Sequence, residues 1–225
     1  CSSDLIAIDE QAIFNNLLPA ISGGKTIRKG SPAWIQLKSN LHKQITLLEN
    51  TFADQKSSMG ITCLSEVPDS LLMWSHYANN HRGFCVSYNL LALNQKLQFS
   101  AIPVLYTQER VCLRSIPLDQ DALNKETMSL FIQSLTSKSP EWSYEKEWRI
   151  IRDEAVCGSR WDDENKGALL DAISPSAIFL GCCASDELTS TLKQYCQNFN
   201  IPLYKMEKDP LFYRLNKISL LDFSK

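Results

Sequence analysis

The apolar segments of this chain are short and do not alternate regularly: stretches with helical periodicity come mostly early, and strand-like runs are not interleaved with them one by one. A doubly wound parallel sheet needs strand and helix to alternate, because each parallel crossover uses a helix, so that architecture is disfavoured. The pattern predicts an α+β fold with mostly antiparallel strands in two packed sheets and helices drawn mainly from the N-terminal half. With 225 residues the chain can bury one sizeable core, and a single domain over residues 1–225 is expected.

Ser31-Pro32 joins an N-cap hydroxyl to a proline at the first helical position. Trp34, Leu37, Leu41, Ile45, Leu48 and Phe52 follow at three- and four-residue spacing, which predicts a long amphipathic helix. Further helices are expected over Asp9 to Leu18, Pro68 to Ala78, Asp121 to Leu135 and Asp186 to Phe199, the last with Leu188, Leu192, Tyr195, Cys196 and Phe199 on one face. Strands are expected at Ile61 to Ser65, Phe84 to Tyr88, Ile102 to Tyr106, Trp148 to Arg152, Ile178 to Leu180 and Pro202 to Met206. The polar stretch from Asp153 to Gly167 reads as a mobile loop beside the Glu145 segment.

A formal charge of -2 and a pI near 6.0 supply no general basic footprint, so nucleic acid is not an expected partner. No run approaches the roughly eighteen apolar residues that span a bilayer, and the N-terminus has neither a charged nor an apolar leader region, so a soluble chain without a Sec-type signal or a membrane partner is expected. The eight cysteines include an adjacent Cys182-Cys183 pair but no C-x-x-C, and they read as reduced core thiols. Paired Cys or His at zinc-ligand spacing is missing, and no metal is expected. Neither a G-x-G-x-x-G nor a G-x-x-x-x-G-K-[ST] phosphate loop is present, and no nucleophile elbow or H-E-x-x-H.

Three constellations can carry chemistry. In Trp142-Ser143-Tyr144-Glu145-Lys146-Glu147-Trp148-Arg149-Ile150-Ile151, strand alternation would put Glu145, Glu147 and Arg149 on one face with the carboxylates roughly 7 Å apart, and Trp148 and Ile150 toward the core. An exposed edge strand with a solvated charged face is the plainer reading of the same pattern, while Trp142, Tyr144 and Trp148 could wall a site and exclude water. In Gly60-Ile61-Thr62-Cys63-Leu64-Ser65-Glu66, a strand ends in a hydroxyl at a sheet edge, where Ser65 can meet a ligand or orient a carboxylate; alternatively Ser65, Glu66 or Asp69 caps the next helix. In Met73 to Phe84, His76, Tyr77 and Arg82 are candidate ligand contacts at a helix-to-strand junction where Gly83 is available for a left-handed connection. His76 and His81 are five residues apart and on different helical faces, which makes a shared metal unattractive.

The order C-L-S-E, M-W-S-H-Y-A-x-x-H-x-G-F, V-L-Y, W-S-Y-E-K-E-W-R-I-I and I-F-L-G resembles the bacterial domain of unknown function numbered twenty-nine seventy-one, over about Gly60 to Met206. Members of that family usually carry an upstream Tyr-Arg strand and an Asn-Asp-Pro-Phe turn, and this chain is expected to begin just after that turn, with part of the site upstream of Cys1. Ser65 and Glu145-Lys146-Glu147 also resemble the serine and the Glu-x-Glu of bacterial toxin-type mono-ADP-ribosyltransferases, whose third element is an arginine on an early strand. That resemblance implies an ADP-ribosyltransferase-like fold and NAD as substrate. It gives Glu147 the ribose and its developing positive charge, Glu145 the acceptor, and Ser65 either support of Glu147 or a contact with the nicotinamide ribose of NAD. Trp74, His76, Tyr77 and Arg82 would help to hold NAD, with Trp74 or Tyr77 stacking on nicotinamide. The resemblance implies an arginine on a protein, such as a host protein, as acceptor, with the enzyme acting as an effector or toxin in the bacterial cytoplasm or exported by a non-Sec route. Two other readings stand beside it: a non-catalytic nucleotide-sensing or defence-system binding module, and a metal-dependent nuclease using Glu145, Glu147 and a histidine.

Overall fold

The Ser31-Pro32 signal is realised as a helix start. In the computed structural model, which describes residues 7–22, 27–98, 100–114, 119–157, 161–162, 164, 167–168 and 173–223, Ser31 accepts a hydrogen bond from the Trp34 N–H and Pro32 opens a 26-residue helix. The fold is α+β, and its backbone forms two compact units that the chain visits in turn.

The first unit comprises Cys1–Gly60, Val104–Pro140 and Arg152–Ala168. It holds β1 (Ala7–Ile8), α1 (Glu10–Ile21) and α2 (Pro32–Ser57), then β5 (Leu105–Tyr106), β6 (Cys112–Leu113), α5 (Gln120–Thr136) and β7 (Ser137–Lys138). Asp9 caps α1. Leu41 and Ile45 of α2 pack with Ile13, Phe14 and Leu113, and Trp34, Leu37 and Leu48 border the same cluster, as the three-and-four spacing requires. Phe52 of α2 stacks on Phe131 of α5 with ring centroids 6.1 Å apart. Part of the Asp153 to Gly167 stretch, expected to be a mobile loop, lies outside the described residues. Its described portion contains a short helix α6 (Glu154–Cys157) and the antiparallel pair β9 (Trp161–Asp162) and β10 (Gly167–Ala168).

The second unit comprises Ile61–Pro103, Glu141–Ile151 and Leu169–Lys225. Its elements are β2 (Met59–Ser65), which enters from the first unit, α3 (Leu71–Tyr77), β3 (Phe84–Ser87), α4 (Leu90–Leu97) and β4 (Ile102–Pro103). A 3-10 turn over Pro140–Glu145, β8 (Glu147–Asp153), β11 (Ala177–Leu180), α7 (Asp186–Phe199), β12 (Leu203–Lys208) and β13 (Leu215–Leu221) follow. Where two packed sheets were expected, the described residues form a four-stranded sheet β13-β12-β11-β3, a three-stranded sheet β2-β8-β4 and three two-stranded pairs. Most pairings are antiparallel; β11 with β12, β1 with β6 and β5 with β7 are parallel.

All four residues of β11 are buried, as suits a central strand covered on both faces. Ala177 and Phe179 join Trp74, Met206 and Leu215; Ile178 and Leu180 join Cys196, Ile201 and Leu203, with Leu188 and Leu192 of α7 alongside. The expected α7 face is therefore narrower than its spacing implied: Tyr195 and Phe199 are exposed and pack on each other instead. None of the seven described cysteines forms a disulfide, but only Cys196 is a core thiol; the others are half-buried or exposed.

The left-handed connection expected at Gly83 is made by Asn79, Asn80 and His81, with φ of 47°, 53° and 64°. Asparagine tolerates that region through its short polar side chain. Gly83 is needed for proximity: a Cβ there would lie 3.2 Å from the Ala78 carbonyl oxygen, and one on Gly181 would run into the His81 carbonyl. The Gly181 N–H donates to Gly83 O at 2.9 Å and the Cys183 N–H to His81 O at 2.9 Å, so β11 closes directly on this turn. Gly181→Ala is expected to cost about 1–3 kcal/mol, the usual penalty of forcing atoms into filled space, read as a lower urea midpoint at unchanged slope.

Candidate functional site

Strand β8 places Glu147 and Arg149 two residues apart, so their side chains share a face. Arg149 grips the carboxylate as a fork: Nε donates to Oε1 at 2.8 Å and Nη2 to Oε2 at 3.2 Å. Glu147 is 5% exposed. Burial alone would lower the Arg149 pKa, but the hydrogen bond and charge of Glu147, with the charges of Cys63 and Glu145, hold the guanidinium above its ordinary value. Arg149 therefore senses both acids.

Glu145 is not on that strand. Pro140 starts a 3-10 turn that ends at Glu145, the Lys146 N–H closes on Ser143 O at 3.3 Å, and Lys146 takes φ 43° before the strand begins. The shared face of three residues is thus a pair, Glu147 and Arg149, and Glu145 reaches the neighbourhood from the turn. It is 2% exposed, and its Oε1 accepts from the Tyr77 hydroxyl at 2.8 Å, a contact between residues 68 apart in sequence.

Ser65 ends β2, the sheet neighbour of β8, and fixes this turn. Its hydroxyl donates to the Glu145 carbonyl at 2.6 Å and accepts from the Val67 N–H at 3.2 Å, while the Glu66 N–H donates to Lys146 O at 3.3 Å. Its contact is with the backbone of Glu145, where a support for Glu147 was expected. The helix cap offered as an alternative use of Ser65, Glu66 or Asp69 falls to Ser70, which accepts from the Met73 N–H. Glu66 accepts from the Trp148 indole N–H at 2.7 Å, so Trp148 borders the core cluster of Leu93, Ala101 and Ile150 with its polar end tied to the residue that follows β2.

Of the candidate ligand contacts, Tyr77 lies beside Glu145 and His76 packs against Tyr77. His76 meets Tyr77 edge-on at 6.3 Å and tilts toward Trp142 at 6.3 Å, and Trp142 lies 6.0 Å from Tyr144. These four rings form a partly exposed aromatic group next to Glu145. Trp74 is elsewhere: it is 3% exposed in the core beneath β11, with its indole N–H donating to Pro68 O at 2.7 Å. The expected stacking of Trp74 on a ligand is therefore corrected to a packing role. Arg82 is exposed on the turn after Asn79 to His81. Sequence reasoning did not find the Tyr77–Glu145 bond, which no local pattern encodes, nor name Arg149 as the partner of Glu147, although the i, i+2 alternation of opposite charges on a strand signals it. Among the described residues no group of three or more His, Cys, Asp or Glu is arranged to hold a metal ion.

Residues 73–150 match the family model described as a protein of unknown function, DUF2971. Over these residues the chain is similar to that family. The matched span includes Tyr77, Glu145, Glu147 and Arg149 and leaves Ser65 just outside it. No curated protein and no solved structure matches the chain.

Removing one partner from a buried ion pair leaves an uncompensated charge, so Arg149→Met should destabilise the protein by about 3 kcal/mol, whereas Glu147→Gln with Arg149→Met should recover most of that in urea unfolding. His81 supplies a pH prediction. Its Nε2 lies 3.1 Å from the Ser75 hydroxyl, its Nδ1 is buried without a hydrogen-bond partner, and its ring stacks on Trp74. Burial, then the charge of Lys208, lowers its pKa from the ordinary 6.5. A lowered folded pKa means the unfolded chain binds the proton first, so stability is full above about 6.5 and falls as pH drops toward the folded value. Thermal unfolding from pH 7.5 to 5 should show that loss, and His81→Asn, which keeps the left-handed backbone, should flatten it.

Proposed function

We propose that this chain is an NAD-dependent mono-ADP-ribosyltransferase that modifies a protein side chain, with arginine the favoured acceptor, and that its second unit is an ADP-ribosyltransferase-like arrangement. The observation that carries the reading is the joining of Ser65 to Glu145 across 80 residues, which gathers the serine and the Glu-x-Glu into one place with both carboxylates buried.

Breaking the N-glycosidic bond of NAD releases neutral nicotinamide and leaves oxocarbenium character on the ribose. A carboxylate that holds the ribose hydroxyls and faces the developing charge stabilises that state more than the ground state. Glu147 has this role, and Arg149 keeps it oriented. The acceptor nitrogen then bonds to the anomeric carbon and gives up a proton; Glu145 receives it, because a guanidinium with pKa above ~12 does not lose its proton unaided. Tyr77 and Ser65 are positioning residues, acting on the side chain and the backbone of Glu145. His76, Trp142 and Tyr144 supply an aromatic wall for a flat base, the part first given to Trp74. A bacterial effector or toxin acting on a host protein fits this chemistry.

One observation favours a second reading. Both oxygens of Glu147 are engaged by Arg149, which also suits a module that binds a nucleotide without turning it over.

Incubation with labelled NAD and a cell lysate should label a protein band. Glu147→Gln, which retains one acceptor for Arg149, should cut that labelling roughly 10²–10³-fold, the cost of removing one electrostatic stabiliser. Glu145→Gln should reduce transfer more than it reduces release of nicotinamide. NAD binding by calorimetry with no nicotinamide release would replace the transferase with the sensor, and neither binding nor labelling would remove both.

A further inference from the structure

The hairpin of β12 and β13 ends in three consecutive exposed apolar residues: Leu211 is 82% exposed, Phe212 63% and Tyr213 101%. The turn that carries them is tied down. Asp209 Oδ1 accepts from the Leu211 N–H at 2.9 Å and the Phe212 N–H at 3.1 Å, and Oδ2 accepts from Arg214 Nε at 2.7 Å and Asn216 Nδ2 at 3.0 Å. The Asp209 N–H donates to Arg214 O and the Arg214 N–H to Phe212 O, closing the loop. The Arg214 guanidinium lies 4.9 Å from the Phe212 ring centroid. One carboxylate thus organises the backbone of the turn, which presents three apolar side chains outward.

The charge around this tip differs from that of the chain. Residues 205–217 hold the cations Lys205, Lys208, Arg214 and Lys217 against Glu207 and Asp209, a local net of +2 in a chain of -2. Asp209 is already spent on Arg214 and the turn, while Lys208 and Lys217 are exposed on the flanking strands.

We propose that this tip is a contact for an anionic lipid bilayer: Leu211, Phe212 and Tyr213 enter the headgroup region, and Lys208 and Lys217 meet lipid phosphates. Aromatic residues favour that interface and nearby cations are drawn to anionic leaflets. A protein partner fits less well. At roughly 150–250 Å² for an aromatic side chain, three apolar residues fall short of the roughly 800 Å² per partner of a stable protein interface. Insertion into lipid needs no complementary surface, and a turn locked beforehand loses little freedom on entering. The contact is peripheral: no helix among the described residues is long and apolar enough to cross a membrane.

The test is cosedimentation of the full chain with phosphatidylcholine vesicles, with and without phosphatidylserine. Binding to the phosphatidylserine vesicles is expected. The Leu211→Ser, Phe212→Ser, Tyr213→Ser triple variant should bind them at least about tenfold more weakly, as the loss of three apolar insertions demands. Lys208→Glu with Lys217→Glu should remove the preference for phosphatidylserine. Because Leu211, Phe212 and Tyr213 are exposed, the circular dichroism and thermal midpoint of the triple variant should match the parent chain. Phe212→Trp should shift its fluorescence to the blue on anionic vesicles. No binding by the parent chain, equal binding by the triple variant, or a dimer in solution that the triple variant abolishes would each overturn the proposal; the last would make the tip a protein contact.

Discussion

Two carboxylates lie buried within three residues of each other, and the second unit is arranged around the donors that make this tolerable. Taking an ionised acid out of water costs several kcal/mol unless charge and hydrogen bonds replace the solvent. Arg149 answers for Glu147 with a two-point fork, and Tyr77 reaches Glu145 from the end of α3. These contacts tie α3 and the start of β8 to one geometry, and Ser65 adds the end of β2 to it. The core clusters supply the bulk of the burial, but the donors decide register: sliding β8 against β2 would part the Ser65 hydroxyl from the Glu145 carbonyl and the Trp148 indole from Glu66 at once.

Backbone conformation does the aiming. Lys146 at φ 43° separates a 3-10 turn from a strand, so that neighbouring acids leave the chain in different secondary structures yet act on the same guanidinium. Non-glycine residues in the left-handed region carry a cost that the surrounding contacts must offset. The Glu66 N–H on the Lys146 carbonyl and the Ser65 hydroxyl on Glu145 are such contacts. The same logic holds at Asn79 to His81, where the His81 N–H on Trp74 O and the Cys183 N–H on His81 O brace three left-handed residues in succession. One strained point follows Tyr77, the donor to Glu145, and the other lies between the two acids.

What the sequence makes legible follows from the range of the forces involved. Long helices are local matters: α5 and α7 sit within a residue of where periodicity puts them, and α2 starts at the Ser31-Pro32 signal but runs five residues past Phe52, the last of its periodic apolar positions. Strand β13 was missed because Leu215 to Leu221 shows one buried residue and a mostly exposed face, a pattern that pairing with β12 creates. Glu145 was drawn onto a strand because Trp142 to Ile151 alternates acceptably, whereas Pro140 and a hydroxyl 80 residues away determine the turn. Trp74 looked available beside His76 and Tyr77, but α3 has one face toward β11, and the indole is on it. The division into two units is likewise invisible locally, since each is assembled from three separate stretches.

The closed fork on Glu147 bears on how the proposed chemistry would run. Glu147 is nearly buried and the guanidinium fork takes one lone pair on each oxygen, so a ribose hydroxyl would reach the remaining lone pairs only in exchange for part of the Arg149 contact or of the covering side chains. The free energy for that exchange has to come from parts of the ligand that do not react. The four rings beside Glu145 are where a flat heterocycle could supply it, and Tyr77 belongs to both sets, as one of the rings and as the donor to Glu145. Stacking on that wall and loosening of the fork would then be coupled through Tyr77 and Glu145, because Arg149 feels the charge of Glu145 as well as that of its direct partner. In the proposed reading, such a site would keep its anion guarded while empty and commit it when the base is seated.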